Sequence, residues 1–182
     1  LLVAWVNSIA NKVKSGNHQY KQGKFDRALE YYNDALIDLP QSPHIHYNIG
    51  NSAYKNGDYG KALEAYGKSL LTDDEALEEK ANYNIGNCKY KEGKLKENTN
   101  LTEAVQLFRD ALDHYKRAIE LNPNNTNTKF NHEFVEHKLK ELMNRQQEKQ
   151  DTSDKEEEEQ NEKSEDKQEQ SAEEGDGEEQ TQ

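Results

Sequence analysis

Tyr47-Asn48-Ile49-Gly50-Asn51 returns as Tyr83-Asn84-Ile85-Gly86-Asn87, and a looser copy, Val13-Lys14-Ser15-Gly16-Asn17, precedes both. The glycines at 16, 50 and 86 lie 34 and 36 residues apart, a period at which chains build stacked two-helix units. Seven residues after each comes a second glycine (Gly23, Gly57, Gly93), and two further on an aromatic or Leu (Phe25, Tyr59, Leu95). Ala28, Tyr32 and Ala35 follow in the first unit, Ala62, Tyr66 and Ser69 in the second, and Pro40 and Pro123 close the first and third. Small residues at these places let two antiparallel helices approach, with an aromatic ring filling the gap beside them. The second glycine of each unit is expected to end the first helix, because a left-handed cap costs glycine least. The spacing predicts helices over 9–22, 25–39, 43–56, 59–71, 75–93, 101–121 and 126–149. Such a chain is all-α.

The pattern resembles the tetratricopeptide (TPR) repeat over about residues 10–150. That resemblance implies a helix-turn-helix superhelix with repeats at about 9–42, 43–76 and 79–125, then a capping helix over 126–149. Phe130-Asn131-His132-Glu133 opens like a further repeat but carries Glu133 where the glycine should stand, and the chain then turns polar. A solvent-facing terminal helix does so. The third unit is irregular. Gly86 to Pro123 spans 37 residues where Gly16 to Pro40 spans 24, an insertion of 13 residues falling after Leu95. Asn100 and Glu103 have capping-box spacing, so the insertion is expected to lengthen the helix from Leu101 and leave a loop at Lys96–Thr99. Its apolar stripe either packs on its partner helix or protrudes as a docking knob at Leu101, Val105 and Phe108.

By the family's pattern, the first helices of successive repeats line a concave groove. The positions two before and one after the first glycine point into it: Asn48, Asn84 and Asn131, then Asn17, Asn51 and Asn87. An amide offers both a donor and an acceptor, so this ladder can pair with the backbone of an extended peptide. The other reading has some of these amides bonding only neighbouring helices. The carboxylate clamp of co-chaperone TPR domains uses Lys, Asn, Asn, Lys and Arg, and the matching positions here are Val13, Asn17, Asn48, Lys80 and Asn84. Two of its three cations are thus missing, which argues against chaperone tails because charge-assisted bonds are the strong ones.

The formal net charge of −12 is confined to one segment. Residues 1–150 hold 21 basic and 21 acidic side chains, whereas 151–182 hold 3 basic and 15 acidic, with Ala172 their one apolar side chain. A segment of that composition buries too little to offset chain entropy and is expected to be a disordered, extended tail. It serves as a solubilising spacer or as a source of carboxylates for a metal-dependent site on a partner. A neutral body lacks the footprint of a nucleic-acid binder. The single Cys88 forms no internal disulfide. Leu1 to Ala10 is strongly apolar. It reads as the end of a secretory leader cut between Ala10 and Asn11, or of a membrane anchor; otherwise Val6 and Ile9 open the first helix.

Catalysis finds little support. His132 and His137 stand at i, i+5, about 140° apart on a helix, whereas a zinc-protease helix needs i, i+4. No metal, cofactor or enzymatic activity is expected. Tyr-Asn-Ile-Gly-Asn repeats, Asn122-Pro123-Asn124-Asn125, Phe130-Asn131-x-Glu133-x-Val135 and a Gln/Glu-rich tail are together similar to TPR proteins of Bacteroides aerotolerance operons. That narrower resemblance implies an exported, non-catalytic scaffold of the periplasm or cell envelope, with a protein partner such as a von Willebrand factor A protein. The alternative is a chaperone-like holdase or cytosolic co-chaperone.

Overall fold

The computed structural model describes the backbone of residues 2–175 and the side chains of residues 8–153 and 155. Seven helices and no strand occur among the described residues: α1 Leu2–Lys21, α2 Phe25–Asp38, α3 Pro43–Lys55, α4 Tyr59–Ser69, α5 Glu75–Lys96, α6 Leu101–Leu121 and α7 Thr126–Gly175. The chain divides into two units, 1–140 and 141–182. In the first, α1 packs on α2, α3 on α4 and α5 on α6, while α2–α3 and α4–α5 contacts stack one pair on the next.

Local chemistry sets the helix ends. Pro43 occupies the first turn of α3, and Ser42 Oγ accepts from the Ile45 amide at 3.4 Å. Asp58 accepts from the Lys61 amide at 3.0 Å, and Asp74 from those of Ala76 and Leu77 at 2.9 and 3.3 Å. Each such cap satisfies donors the helix leaves unpaired. Asn100 accepts from the Glu103 amide at 3.1 Å, the cap its spacing predicts, but returns a bond to the Glu103 carboxylate from its side chain at 3.0 Å, its backbone N–H being held by the Lys96 carbonyl at 2.8 Å. Gly23 (φ 73°) and Gly57 (φ 80°) make the left-handed turns that end α1 and α3.

One contact recurs in every repeat. A Cβ on Gly16, Gly50 or Gly86 would stand 2.5, 2.5 or 2.6 Å from the ring of Tyr32, Tyr66 or Tyr115. The glycine on the first helix therefore seats the tyrosine of the second, and these rings lie buried between alanines such as Ala28 and Ala62. Ile9 and Val13 join the first core cluster, with Tyr32, Ile45 and Ile49. Ile9 thus belongs to the packing of α1, which starts at Leu2 rather than at the expected residue 9. The side chains of residues 1–7 lie outside the described residues.

The structure corrects three expectations. Gly93 does not end a helix: α5 continues to Lys96. Gly93 instead faces Phe108, whose ring atoms would be 2.5 Å from an added Cβ, so a helix-packing contact replaces the turn. The insertion consequently lengthens both helices of the pair, to 22 and 21 residues against 13 and 11 in α3 and α4. The docking knob is not formed. Val105 and Phe108 are 5% and 0% exposed, Leu101 is half-buried, and the Phe108 and Tyr90 rings sit 5.3 Å apart; the longer α5 covers the stripe. Finally, α7 runs to Gly175 rather than stopping near 149. The helix thus extends over 151–175 of the acidic segment, whose Glu, Gln and Lys are good helix formers that need no burial to prefer that backbone. Residues 176–182 of that segment lie outside the described residues.

Candidate functional site

The repeat register carries a second layer of bonds on the groove side. The Tyr32, Tyr66 and Tyr115 hydroxyls donate to Oδ1 of Asn17, Asn51 and Asn87 at 2.7, 2.8 and 2.8 Å. Each amide thus reads the tyrosine held by the adjacent glycine. Neighbouring repeats are then tied together. Asn84 Nδ2 donates to the Tyr47 hydroxyl (3.2 Å) and to Asn51 Oδ1 (3.1 Å). One repeat on, Asn131 Nδ2 donates to the Tyr83 hydroxyl (3.2 Å) and to Asn87 Oδ1 (3.0 Å). Asn48 holds the corresponding place in the second repeat, where Val13 replaces the tyrosine, and its side chain makes no hydrogen bond among the described residues.

The bonding between neighbouring helices read from the sequence is present at Asn84 and Asn131. The amides of the ladder also line two adjoining cavities. The larger, about 520 Å³, is lined by Asn51, Asn84, Asn87 and Asn131 with Tyr20, Tyr54, Tyr90, Phe130 and Phe134 among others. The smaller, about 140 Å³, holds Asn17, Asn48 and Asn51. Internal bonding sorts what remains for a ligand. Asn51 and Asn87 have spent both acceptor sites and keep amide donors; Asn84 and Asn131 have spent both donors and keep Oδ1 as acceptor. Both asparagine pairs, one per repeat, line the larger cavity.

Other predicted positions lie elsewhere. Lys80 is exposed and lines neither cavity, and Val13 packs into the first core cluster, so the clamp positions do not converge. Among the described residues no group of three or more His, Cys, Asp or Glu is placed to hold a metal ion. No described helix is long and apolar enough to cross a membrane.

The structure adds residues that sequence reading passed over. Phe130, 66% exposed, and Phe134, 42% exposed, stack at 6.4 Å, and Phe134 meets the Tyr90 ring edge-on at 5.7 Å. This aromatic shelf closes the larger cavity at the α7 end. Lys21, Lys55 and Lys91 border the cavities, each five residues after its repeat's first glycine. The signal was present in sequence: Asn17-His18-Gln19-Tyr20-Lys21, Asn51-Ser52-Ala53-Tyr54-Lys55 and Asn87-Cys88-Lys89-Tyr90-Lys91 share Asn, Tyr and Lys in register. Burial raises the Tyr54 hydroxyl to about 12 and pushes Tyr66 and Tyr115 further up, so all three remain neutral donors near neutrality.

Residues 13–78 and 47–98 match the family model described as "Tetratricopeptide repeat". No curated protein matches the chain in sequence. Among solved structures, the chain is similar to the C-terminal TPR-containing domain of a putative FK506-binding protein from Plasmodium falciparum. That match has 25% identity and TM-score 0.60, covering 77% of this chain and 93% of that one. The second TPR domain of human RPAP3, in complex with the HSP70 peptide SGPTIEEVD, matches at 19% identity and TM-score 0.57, covering 70% and 98%. The Yersinia enterocolitica type III secretion chaperone SycD, in complex with a peptide of the translocator YopD, matches at 16% identity and TM-score 0.57, covering 77% and 95%. Repeated glycine–tyrosine seats, the matched residues and these likenesses together identify the fold of residues 2–140 as an all-α tetratricopeptide-repeat superhelix.

Proposed function

We propose that the protein is a non-catalytic interaction scaffold that holds an extended segment of a partner protein in the concave groove. One observation carries this reading. The two asparagine pairs, already fixed by tyrosine hydroxyls, line an open cavity, and each pair keeps an NH2 group and an Oδ1 that make no hydrogen bond among the described residues. That is the complement of a peptide unit, and preorganisation lowers the ordering cost of binding. The RPAP3 and SycD complexes with peptides support the same use of the fold.

The cell envelope or periplasm is the proposed location, with a von Willebrand factor A-type protein in an aerotolerance complex as the proposed partner. Support comes from the apolar Leu1–Ala10 stretch and from the repeated Tyr-Asn-Ile-Gly-Asn and Asn-Pro-Asn-Asn sequences. A chaperone-like adaptor is the second reading, favoured by the likeness to SycD.

Photo-crosslinking from p-benzoylphenylalanine tests the groove. Position 130 lies on the groove's aromatic shelf, whereas Leu71, 79% exposed, borders neither cavity. Crosslinks to an envelope protein from position 130 and none from position 71 are expected; the reverse pattern rejects the groove. Mass spectrometry of the native N-terminus tests location, since a start at Asn11 signals export and an intact longer N-terminus without envelope fractionation rejects it.

A further inference from the structure

Several lysines elsewhere in the repeat domain sit beside carboxylates. Lys12 meets Asp38 at 2.7 Å, Lys68 meets Glu64 at 2.6 Å, Lys89 meets Asp110 at 3.4 Å and Lys96 meets Glu103 at 3.1 Å. Lys21, Lys55 and Lys91 are the lysines that line the two cavities. They are exposed, and none makes a hydrogen bond or ion pair among the described residues. No Asp or Glu lines either cavity, although residues 1–150 hold 21 acidic side chains. Excluding carboxylates from one surface of a neutral body leaves a groove of single sign. Its low-dielectric walls strengthen the field that the lysines project into it. Lys91 Nζ also stands 6.0 Å from the Tyr90 ring centroid, beside the Phe134 shelf.

We infer that the groove's occupant is an acidic, extended segment of a separate protein. The segment seats an apolar or aromatic side chain on Phe130 and Phe134 and lays carboxylates along Lys91, Lys55 and Lys21. The inference rests on the groove being the binding surface and adds the occupant's charge. Backbone pairing with the asparagines holds the chain without reading its side chains. The lysine series then supplies selectivity, because a like-charged segment is repelled along its whole length. The carboxylates come from side chains, so a free chain terminus is not required.

The test uses the full chain and three fluorescein-labelled peptides with blocked ends. Each carries one Phe followed by an alternation of Ser with Glu, Gln or Lys, and binding is read by fluorescence anisotropy. The Glu peptide is expected to bind tightest and the Lys peptide weakest. A Lys55→Ala/Lys91→Ala double variant should weaken the Glu peptide by about tenfold while leaving the Gln peptide within about twofold, given a few-fold per exposed ion pair. Raising salt from about 50 mM to about 300 mM should weaken the Glu peptide alone, as screening demands. Gln or Lys peptides binding as tightly as the Glu peptide would overturn the acidic assignment and leave the groove reading standing. Binding of none of the three overturns the inference, while the crosslinking above judges the groove independently. Self-association that the double variant abolishes would place a second copy in the groove and overturn the separate partner. Unchanged circular dichroism of the double variant separates lost binding from lost fold.

Discussion

Replacing Gly50 with Ala tests the contact that repeats through the fold. The new Cβ would lie 2.5 Å from Tyr66 Cε1, 2.6 Å from Cδ1 and 2.9 Å from Cζ. The ring is 1% exposed, so it has no free space to enter. Overpacking of this kind costs about 1–3 kcal/mol. A displaced ring also strains its hydroxyl bond to Asn51, for a further loss of about 1 kcal/mol. Alanine recovers about 1 kcal/mol of helix propensity, leaving a net destabilisation of about 1–3 kcal/mol. Gly67 supplies the control within the same repeat: it lies in α4 with nothing within 4 Å of its added Cβ, so Gly67→Ala should stabilise by about 0.5–1 kcal/mol. Urea unfolding followed by circular dichroism reads both, and the expected midpoint shift for Gly50→Ala is about 1 M downward. In a Tyr66→Ala background the cost of Gly50→Ala should vanish, because the clash has gone. A Gly50→Ala protein as stable as the parent would refute the glycine–tyrosine seat as the basis of the repeat.

Other tests follow from single groups. Asn84→Ala strands the Tyr47 hydroxyl and removes a bond to Asn51; it should cost about 1–3 kcal/mol, whereas Asn48→Ala, lacking such bonds, should cost under about 0.5 kcal/mol by the same urea assay. Equal losses contradict the ladder. Burial raises the Cys88 thiol to about 12, and its side chain is fully buried. The native protein should therefore resist Ellman's reagent at pH 8 and react quickly once unfolded; fast native reaction contradicts this packing. The His114 pKa is lowered from 6.5, first by burial and then by Lys89, against opposing effects of Asp110 and Asp113. The unfolded chain then binds the proton more readily, so this contribution is full above pH 6.5 and is lost as pH falls below that value through the folded pKa. Urea midpoints at pH 7.5 and 5.5 should differ less in His114→Gln than in the parent, and an identical difference in both refutes that role.

Much of the fold was written in the spacing. Gly16, Gly50 and Gly86 gave the register, and the matching Tyr32, Tyr66 and Tyr115 sit where that register put the second helix. Gly93 misled because a glycine in sequence does not say whether backbone conformation or a neighbour's bulk requires its small size. The neighbour, Phe108, was 15 residues away in the insertion. The same long-range contact hid the burial of Val105, since a helical apolar stripe reads alike whether covered or exposed. The tail's low hydrophobicity argued against a packed core but carried no information against helix, which propensity alone favours. At the site, the six asparagines were legible from repetition. Their division into spent and unspent donors depended on Tyr47 and Tyr83 reaching across from the preceding repeat. The lysine series was visible in register but was overshadowed by the neutral total charge, which conceals how carboxylates are excluded from one surface.

The side-chain amide signals of the asparagines offer the most direct test of the central claim that the groove pairs with an extended acidic segment. With the full chain labelled with nitrogen-15 and titrated with the end-blocked Glu peptide, NH2 resonances of Asn51 and Asn87 should shift most, because their donors are the unspent ones. Signals from exposed positions that line neither cavity, such as the backbone amides of Ile37 and Leu71, should stay in place. Shifts confined to Ile37 and Leu71, with Asn51 and Asn87 unmoved at saturation, would contradict the account.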